Sequence, residues 1–219
     1  MSRVRTAILL SGRGSNLKSL IAACAEKDFP AEIVLVISNV EGAGGLQIAR
    51  DAGIATKAIP HKPFPTREAF DAEIDAALRD ANVELVCEAG FMRIHSAWFA
   101  KRWEGRILNI HPSLLPKFPG VKVHEQVLAA GETESGATVH FLTAELDSGP
   151  IVAQARVPVM PFDTPETLAA RVLEIEHKLY PEALRMVAEG RAVLEGGRTV
   201  YRAQAHPLQK SGFKSAGLP

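Results

Sequence analysis

The sequence has few cysteines, no long hydrophobic run and no excess of charge, and each absence excludes a class of protein. Two cysteines in 219 residues, without C-x-x-C spacing, cannot form the disulfide framework of a small secreted domain. No apolar stretch approaches the roughly 20 residues that cross a bilayer. The 25 basic and 25 acidic residues give a net charge of +0, whereas a nucleic-acid-binding domain normally has a basic excess. We therefore expect a cytoplasmic protein with neither a nucleic-acid nor a membrane partner.

The histidines are also spread without the spacing of a metal site. None of the seven forms an H-E-x-x-H or similar pattern, so the sequence predicts no metal ion. A chain of 219 residues with 47% hydrophobic residues is ordinary for one globular domain. We predict a single domain over residues 1–205, with an N-terminal half at about 1–105 and a C-terminal half at about 106–205 that completes a cleft. We predict that residues 206–219, which are polar and contain Gly and Pro, form a flexible tail.

Short apolar runs alternate with segments of helical periodicity along most of the chain. Seven runs predict strands, at residues 4–10, 33–37, 55–59, 85–87, 106–110, 137–142 and 151–159. The first five are separated by helical or helix-length segments, which is typical of parallel strands. The last two are joined by a loop alone, which favours antiparallel pairing. We expect an α/β fold: a Rossmann-like, mostly parallel sheet with helices on both faces and an antiparallel C-terminal addition.

The helices are predicted from apolar spacing and from residues suited to their ends. One helix is expected from about residue 17 to 27, and Thr66 can cap another. Pro165 fits the first turn of a long C-terminal helix. Pro181 lacks the N–H that a helix interior uses, so we expect it to kink or break that helix.

The most informative segment is the end of the fifth predicted strand, Asn109-Ile110-His111-Pro112. Residues two apart in an extended segment project from the same side, so Asn109 and His111 should face one cleft edge. An amide can donate a hydrogen bond to a developing oxyanion while an imidazole beside it carries a proton. Asp147, in the next turn-rich loop, could orient that imidazole. A turn-capping asparagine and a structural histidine are the alternative.

Two loops and one helix carry candidate binding residues. The glycines of segment 11–16, between the first strand and helix, let backbone N–H groups approach an anion. The third glycine of a dinucleotide fingerprint is missing, so a single phosphate fits better than NAD, and a plain tight turn is the alternative. Segment 90–95 could clasp a flat heterocycle or be an ordinary buried loop. Glu176 could meet a ligand amine or be solvated.

Together these segments resemble the phosphoribosylglycinamide formyltransferase family of folate-dependent enzymes. The matching segments are, in order, residues 11–17, 89–94, 109–116, 139–141, 145–150 and 176–177. The first and last of them narrow the wider formyltetrahydrofolate superfamily to this family. The resemblance implies the formyltransferase fold. It also implies transfer of the formyl group of 10-formyltetrahydrofolate to the amine of N1-(5-phospho-D-ribosyl)glycinamide, in purine biosynthesis, by a monomer or homodimer.

The resemblance also implies roles for individual residues. The catalytic set would be Asn109, His111 and Asp147. The substrate would be bound by Gly14, Ser15, Asn16 and Glu176. The co-substrate 10-formyltetrahydrofolate would be bound by Arg67, Met92, Arg93, Ile94, His95, Asn109, Thr143, Ala144, Glu145, Leu146 and Asp147. The peptide bond before Pro116 would be cis.

Glu88 and His95 depart from the family, which commonly has apolar residues at both positions. A buried carboxylate needs a partner. We therefore hypothesise that Glu88 pairs with a nearby cation or donor, with His95 as the candidate. Segment 122–124 also differs from the family, and we assign it no role.

Three alternatives to a glycinamide enzyme remain. A formyltetrahydrofolate deformylase carries an extra N-terminal regulatory domain, and methionyl-tRNA formyltransferase carries a C-terminal tRNA-binding domain, and the sequence predicts neither here. The third alternative is a non-catalytic folate- or nucleotide-binding module. The joint presence of Asn109, His111 and Asp147 argues against it.

Overall fold

The computed structural model describes residues 2–203, so the tail predicted at residues 206–219 lies outside the described residues. The main sheet has seven strands in the order β3-β2-β1-β4-β5-β6-β7. These are β1 (Val4–Leu10), β2 (Ala31–Ser38), β3 (Ala55–Ala58), β4 (Leu85–Glu88), β5 (Ile107–His111), β6 (Glu134–Phe141) and β7 (Ile151–Pro158). Strands β1 to β5 pair in parallel, whereas β6 and β7 pair antiparallel. The predicted fold class is confirmed.

Helices cover both faces of this sheet. They are α1 (Ser15–Cys24), α2 (Gly44–Asp51), α3 (Arg67–Asp80), α4 (Ala97–Arg102), α5 (Val123–Ala129) and α6 (Pro165–Ala188). Alternate side chains of β1 point to opposite faces of the sheet. Ile8 and Leu10 join the core under α1, α2, α5 and α6, while Ala7 and Leu9 join the core under α3 and α4. Among residues 2–203, no helix is long and apolar enough to span a membrane.

Two predicted helix starts are confirmed, and the helix predicted to kink or break at Pro181 does not break there. The Thr66 hydroxyl accepts a hydrogen bond from the Ala69 N–H at 3.1 Å, and Thr164 forms a capping box immediately before Pro165. Helix α6 continues through Pro181 to Ala188 instead of breaking there. Side chains on both sides of the proline are buried, so packing keeps the helix continuous despite the missing hydrogen bond.

Two elements were absent from the prediction. Helix α5 follows the segment that departs from the family. A separate antiparallel hairpin is formed by β8 (Ala192–Glu195) and β9 (Arg198–Tyr201). Gly196 and Gly197 form its two-residue turn with φ of 56° and 73°. A Gly-Gly pair between short apolar runs is a hairpin signal, so this element could have been predicted.

The strand order places the functional loops together. It reverses direction between β1 and β4, and open parallel sheets bind ligands beyond the carboxyl ends of strands at such a point. The loops after β1, β4 and β5 therefore leave the sheet at one edge. Strand β6 runs the other way and ends opposite Leu108, and the loop that follows it folds back to bring Asp147 to within 3.4 Å of His111.

Candidate active site

Ser11 connects the loops that follow β1 and β4. Its backbone N–H donates to the Gly90 carbonyl at 3.0 Å, and its hydroxyl accepts from the Met92 N–H at 2.7 Å. The same hydroxyl donates to Asn39 Oδ1 at 2.5 Å. Ser11 thus fixes the position of the loop after β1 relative to the loop after β4. In the sequence, only the position of Ser11 at a strand end indicated this role.

The glycine loop places two helix N-termini side by side. Gly14 precedes α1 in the left-handed region (φ 79°), and a Cβ there would lie 2.7 Å from Gly45 Cα at the start of α2. Only glycine allows both the backbone angle and this approach. Within residues 2–203 neither helix has a side-chain cap, and the first N–H groups of α1 are free to bind an anion. In α2 the Gly45 N–H instead donates to the Gly12 carbonyl at 3.0 Å, which ties the start of α2 to the glycine loop.

Asn16 and Glu176 form a buried pair beside this loop. Asn16 Nδ2 donates to Glu176 Oε2 at 2.7 Å, across 160 residues of sequence. Burial raises the pKa of Glu176, and the hydrogen bond from Asn16 opposes that rise. The Asn16 side chain therefore faces Glu176 instead of extending the phosphate loop, and its Oδ1 is buried without a partner among residues 2–203.

A cavity of about 660 Å³ opens beyond the ends of β4 and β5. Ten of the eleven predicted co-substrate residues line it: Met92, Arg93, Ile94, His95, Asn109, Thr143, Ala144, Glu145, Leu146 and Asp147. His111 lines it too. The structure thus brings the predicted catalytic residues and the two predicted walls to one space.

The remaining predicted site residues lie outside the lining of this cavity. Arg67 is exposed at the start of α3, and its predicted contact with the co-substrate stays a prediction. Gly14, Ser15, Asn16 and Glu176 belong to the neighbouring anion site and buried pair. Among residues 2–203, no group of three or more His, Cys, Asp or Glu side chains is arranged to hold a metal ion.

His111 is held at the cavity wall by two oxygen atoms. Its Nε2–H donates to the Phe118 carbonyl at 2.8 Å, while its Nδ1 lies 3.4 Å from Asp147 Oδ2. The His111 and Asp147 side chains are each only 6% exposed. A carboxylate at this distance faces the ring nitrogen and can orient the imidazole. The predicted orientation of His111 by Asp147 is therefore present in the geometry.

The backbone around Asp147 explains how it reaches His111. Asp147 has φ of 50°, an angle that aspartate tolerates better than most residues, and its Oδ2 accepts from the Gly120 N–H at 2.7 Å. At Gly149 a Cβ would lie 1.7 Å from the Phe141 carbonyl oxygen. The loop can approach β6 this closely only with glycine at that position.

His140 orients Asn109, a role that sequence analysis did not assign. Asn109 and His140 are register partners on β5 and β6, and Asn109 Nδ2 lies 3.2 Å from His140 Nε2. Burial lowers the pKa of His140, so its ring is neutral near pH 7. Its Nδ1–H donates to the Phe141 carbonyl at 3.0 Å, which leaves Nε2 to accept from the Asn109 amide. The Val-His-Phe segment was a motif in the sequence, and its spacing gave no role.

The hypothesised partner of Glu88 is confirmed. Glu88 Oε1 lies 2.7 Å from His95 Nε2, and Asp71 Oδ1 lies 2.7 Å from His95 Nδ1. Although burial disfavours the charged ring, the Glu88 and Asp71 carboxylates outweigh it and raise the pKa of His95 to about 9. His95 therefore lines the cavity with a side chain that is already engaged on both ring nitrogens.

Known proteins are similar to this chain in sequence and in fold. Residues 4–184 match the formyl transferase family. The phosphoribosylglycinamide formyltransferase of Escherichia coli strain K12 is 45% identical over 202 residues, which is 92% of this chain and 95% of that protein. The chain belongs to the phosphoribosylglycinamide formyltransferase family. The glycinamide ribonucleotide transformylase 1 of Symbiobacterium toebii superimposes with a TM-score of 0.88 at 45% identity, covering 91% of this chain and 94% of that one.

The family also occurs inside a longer protein. The trifunctional purine biosynthetic protein adenosine-3 of Drosophila pseudoobscura is 52% identical over 190 residues, which is 86% of this chain and 14% of that protein. The chain spans only 14 to 20% of the length of such trifunctional relatives. The family and the enzyme class predicted from the sequence motifs, a formyltransferase, are confirmed.

Proposed function

We propose that this protein transfers the formyl group of 10-formyltetrahydrofolate to the amine of N1-(5-phospho-D-ribosyl)glycinamide, in the cytoplasmic synthesis of purines. The observation that carries the proposal is the convergence of Asn109, His111 and Asp147 on one cavity wall, with Asp147 Oδ2 3.4 Å from His111 Nδ1. A binding module would have no use for an amide donor and a carboxylate-paired imidazole at the same point.

The two substrates occupy neighbouring regions of one domain. The N-terminus of α1 binds the 5-phosphate through backbone N–H groups, with Gly14 and Ser15 at the centre. The pair of Asn16 and Glu176 meets the glycinamide end of the substrate. The heterocycle of the folate lies in the cavity beyond β4 and β5.

Catalysis requires an oxyanion site and a path for one proton. The amine nitrogen attacks the formyl carbon, a C–N bond forms, and the carbonyl electrons move to the formyl oxygen. The Asn109 amide and protonated His111 stabilise this oxyanion. The intermediate then collapses, the bond from carbon to N10 breaks, and the proton lost by the amine passes to N10. Asp147 holds the proton on His111 and relays the transferred proton through water.

The test is an assay of the purified protein with both substrates. We expect formylated glycinamide ribonucleotide to accumulate with 10-formyltetrahydrofolate, and none to form when formate and ATP replace the folate. A parallel reaction without the ribonucleotide measures formate release. Formate release that is undiminished by the ribonucleotide would indicate a deformylase, and absence of both products would contradict a catalytic role.

A further inference from the structure

Beside the cavity, one histidine is enclosed by two carboxylates that the proposed reaction does not use. Asp71 from α3 and Glu88 from β4 each approach one ring nitrogen of His95 at 2.7 Å. We refer to these three residues as the buried histidine cluster. An ionised carboxylate only accepts hydrogen bonds, so His95 donates from both nitrogens and carries a positive charge.

The cluster fixes the position of Glu88. The rings of Phe91 and Phe99 stack on His95 with centroids 5.3 and 4.3 Å away, so the imidazole cannot turn. Asp71 is held in turn, because its Oδ2 accepts from the Ser96 N–H at 2.6 Å. The chain of contacts therefore runs from α3 through His95 to one oxygen of Glu88.

The second oxygen of Glu88 remains for a ligand. Glu88 lines the cavity although its side chain is only 5% exposed. Within residues 2–203 its side chain has one hydrogen-bond partner, His95 at Oε1, and its Oε2 is not among the fully enclosed atoms that lack a partner. Glu88 is also the register partner of Asn109, which pairs with His140, so the three residues form a row across β4, β5 and β6.

We propose that Glu88 is a specificity-determining residue of the cavity, whose Oε2 accepts a hydrogen bond from an N–H of the folate heterocycle. His95 and Asp71 are positioning residues that hold this carboxylate in place. The inference rests on the proposed function, because it takes the flat ring of the co-substrate as the ligand. A pterin carries several N–H donors along its edges, and a bond from N–H to carboxylate is stronger than one to a neutral acceptor.

Glu88→Gln separates the ligand role from a packing role. The glutamine oxygen can still accept from His95, but its amide then presents N–H donors to the cavity instead of an acceptor. We expect the KM for 10-formyltetrahydrofolate and the Kd for tetrahydrofolate, measured by calorimetry, to rise at least about tenfold, the value for one lost hydrogen bond of 1.4 kcal/mol. The change in KM should exceed the change in kcat.

Asp75→Asn is the matched control. Asp75 lies one turn further along α3, is equally buried, and accepts from Arg102 Nε at 2.6 Å and Arg79 Nε at 2.9 Å. It does not line the cavity. We expect this variant to have a lower melting temperature, with KM, kcat and the Kd for tetrahydrofolate within twofold of the wild type.

A double variant guards against misfolding of the first. Glu88→Leu with His95→Leu replaces two of the three charged side chains of the cluster by apolar ones, leaves the Ser96 N–H as the partner of Asp71, and should also weaken tetrahydrofolate binding. Wild-type Kd values in either Glu88→Gln or the double variant would overturn the proposal. Failure of the proposed function is distinguishable, because it would leave the wild-type protein itself without formyl transfer, whereas failure of this inference leaves the wild type active and the variants unimpaired.

Discussion

At the scale of single residues, the chemistry depends on which atoms carry protons. The neutral ring of His140 can accept from Asn109 only because its one proton is committed to the Phe141 carbonyl. Without that ring, the Asn109 amide loses the partner that aims its remaining N–H at the cavity. We therefore expect His140, although its ring also lines the cavity, to act as a positioning residue through Asn109.

A double-mutant cycle tests this relation. Asn109→Ala should lower kcat by about 10²–10³, as expected for an oxyanion donor. His140→Ala should lower it by about tenfold, corresponding to one hydrogen bond. A residue that acts through Asn109 has no further effect once Asn109 is gone, so the double variant should be no slower than Asn109→Ala within about threefold. Additive losses in steady-state kcat would contradict the positioning role.

Asp147→Asn tests the charge beside His111 with little change in shape. Asparagine tolerates the positive φ at this position, and its side-chain oxygen can still accept from the Gly120 N–H. The variant loses the carboxylate that takes part in proton transfer in the proposed mechanism, so we expect kcat to fall by about 10²–10⁴. The melting temperature should remain within about 2 °C of the wild type. Near-normal turnover in the variant would remove Asp147 from the mechanism.

At the scale of elements, the loop between β6 and β7 depends on Gly149. A methyl group there would meet the Phe141 carbonyl oxygen at 1.7 Å, so Gly149→Ala must push the loop, and Asp147 with it, away from β6. We expect a stability loss of about 2 kcal/mol or more in urea unfolding and a marked fall in kcat.

The control for Gly149→Ala is Gly42→Ala, because a Cβ at Gly42 has open space around it. That variant should stay within about 0.5 kcal/mol of the wild type, with unchanged turnover. Equal effects of the two substitutions would show that the loop is not held as described.

The elements also show what sequence patterns can and cannot predict. The strands and their pairing followed from apolar runs and connection lengths, because those properties are local. The continuation of α6 through Pro181 depends on burial of Tyr180 and Leu184 against other elements, which a local rule on proline does not contain. The Gly196-Gly197 turn is also a local signal, from which the hairpin of β8 and β9 could have been predicted.

The candidate site, like the fold, was predictable where a local motif carries it and not where it depends on tertiary contacts. Motif residues identified the cavity walls and the relation of His111 to Asp147. The Asn16 side chain faces Glu176, 160 residues away, and His140 meets Asn109 through antiparallel register. Such pairings arise from tertiary contacts, which spacing along one strand or helix does not encode.

At the scale of the whole molecule, the buried histidine cluster links folding to pH. Glu88 from β4 and Asp71 from α3 are the charged groups that face His95, and the Phe91 and Phe99 rings cover its faces. The cluster therefore joins the sheet, α3 and the loop after β4, and its charge state affects the stability of the entire fold.

The sign of the pH dependence follows from the direction of the shift. The pKa of His95 rises from 6.5 to about 9 on folding, so the folded protein binds more protons than the unfolded chain between those values. The stabilisation is complete below about pH 6.5 and is lost as the pH rises through about 9. A shift of this size corresponds to about 3 kcal/mol.

Urea unfolding of the wild type and of the double variant Glu88→Leu with His95→Leu measures the stabilisation by charged His95. Subtracting the unfolding free energy of the variant from that of the wild type removes the effect of the groups that titrate in both proteins. The unfolding free energy of the wild type, relative to that of the variant, should fall by about 3 kcal/mol between pH 6.5 and 9.5. A difference that is flat across this interval would mean that His95 is not charged in the folded protein. The carboxylate facing the cavity would then lack the cation that holds it.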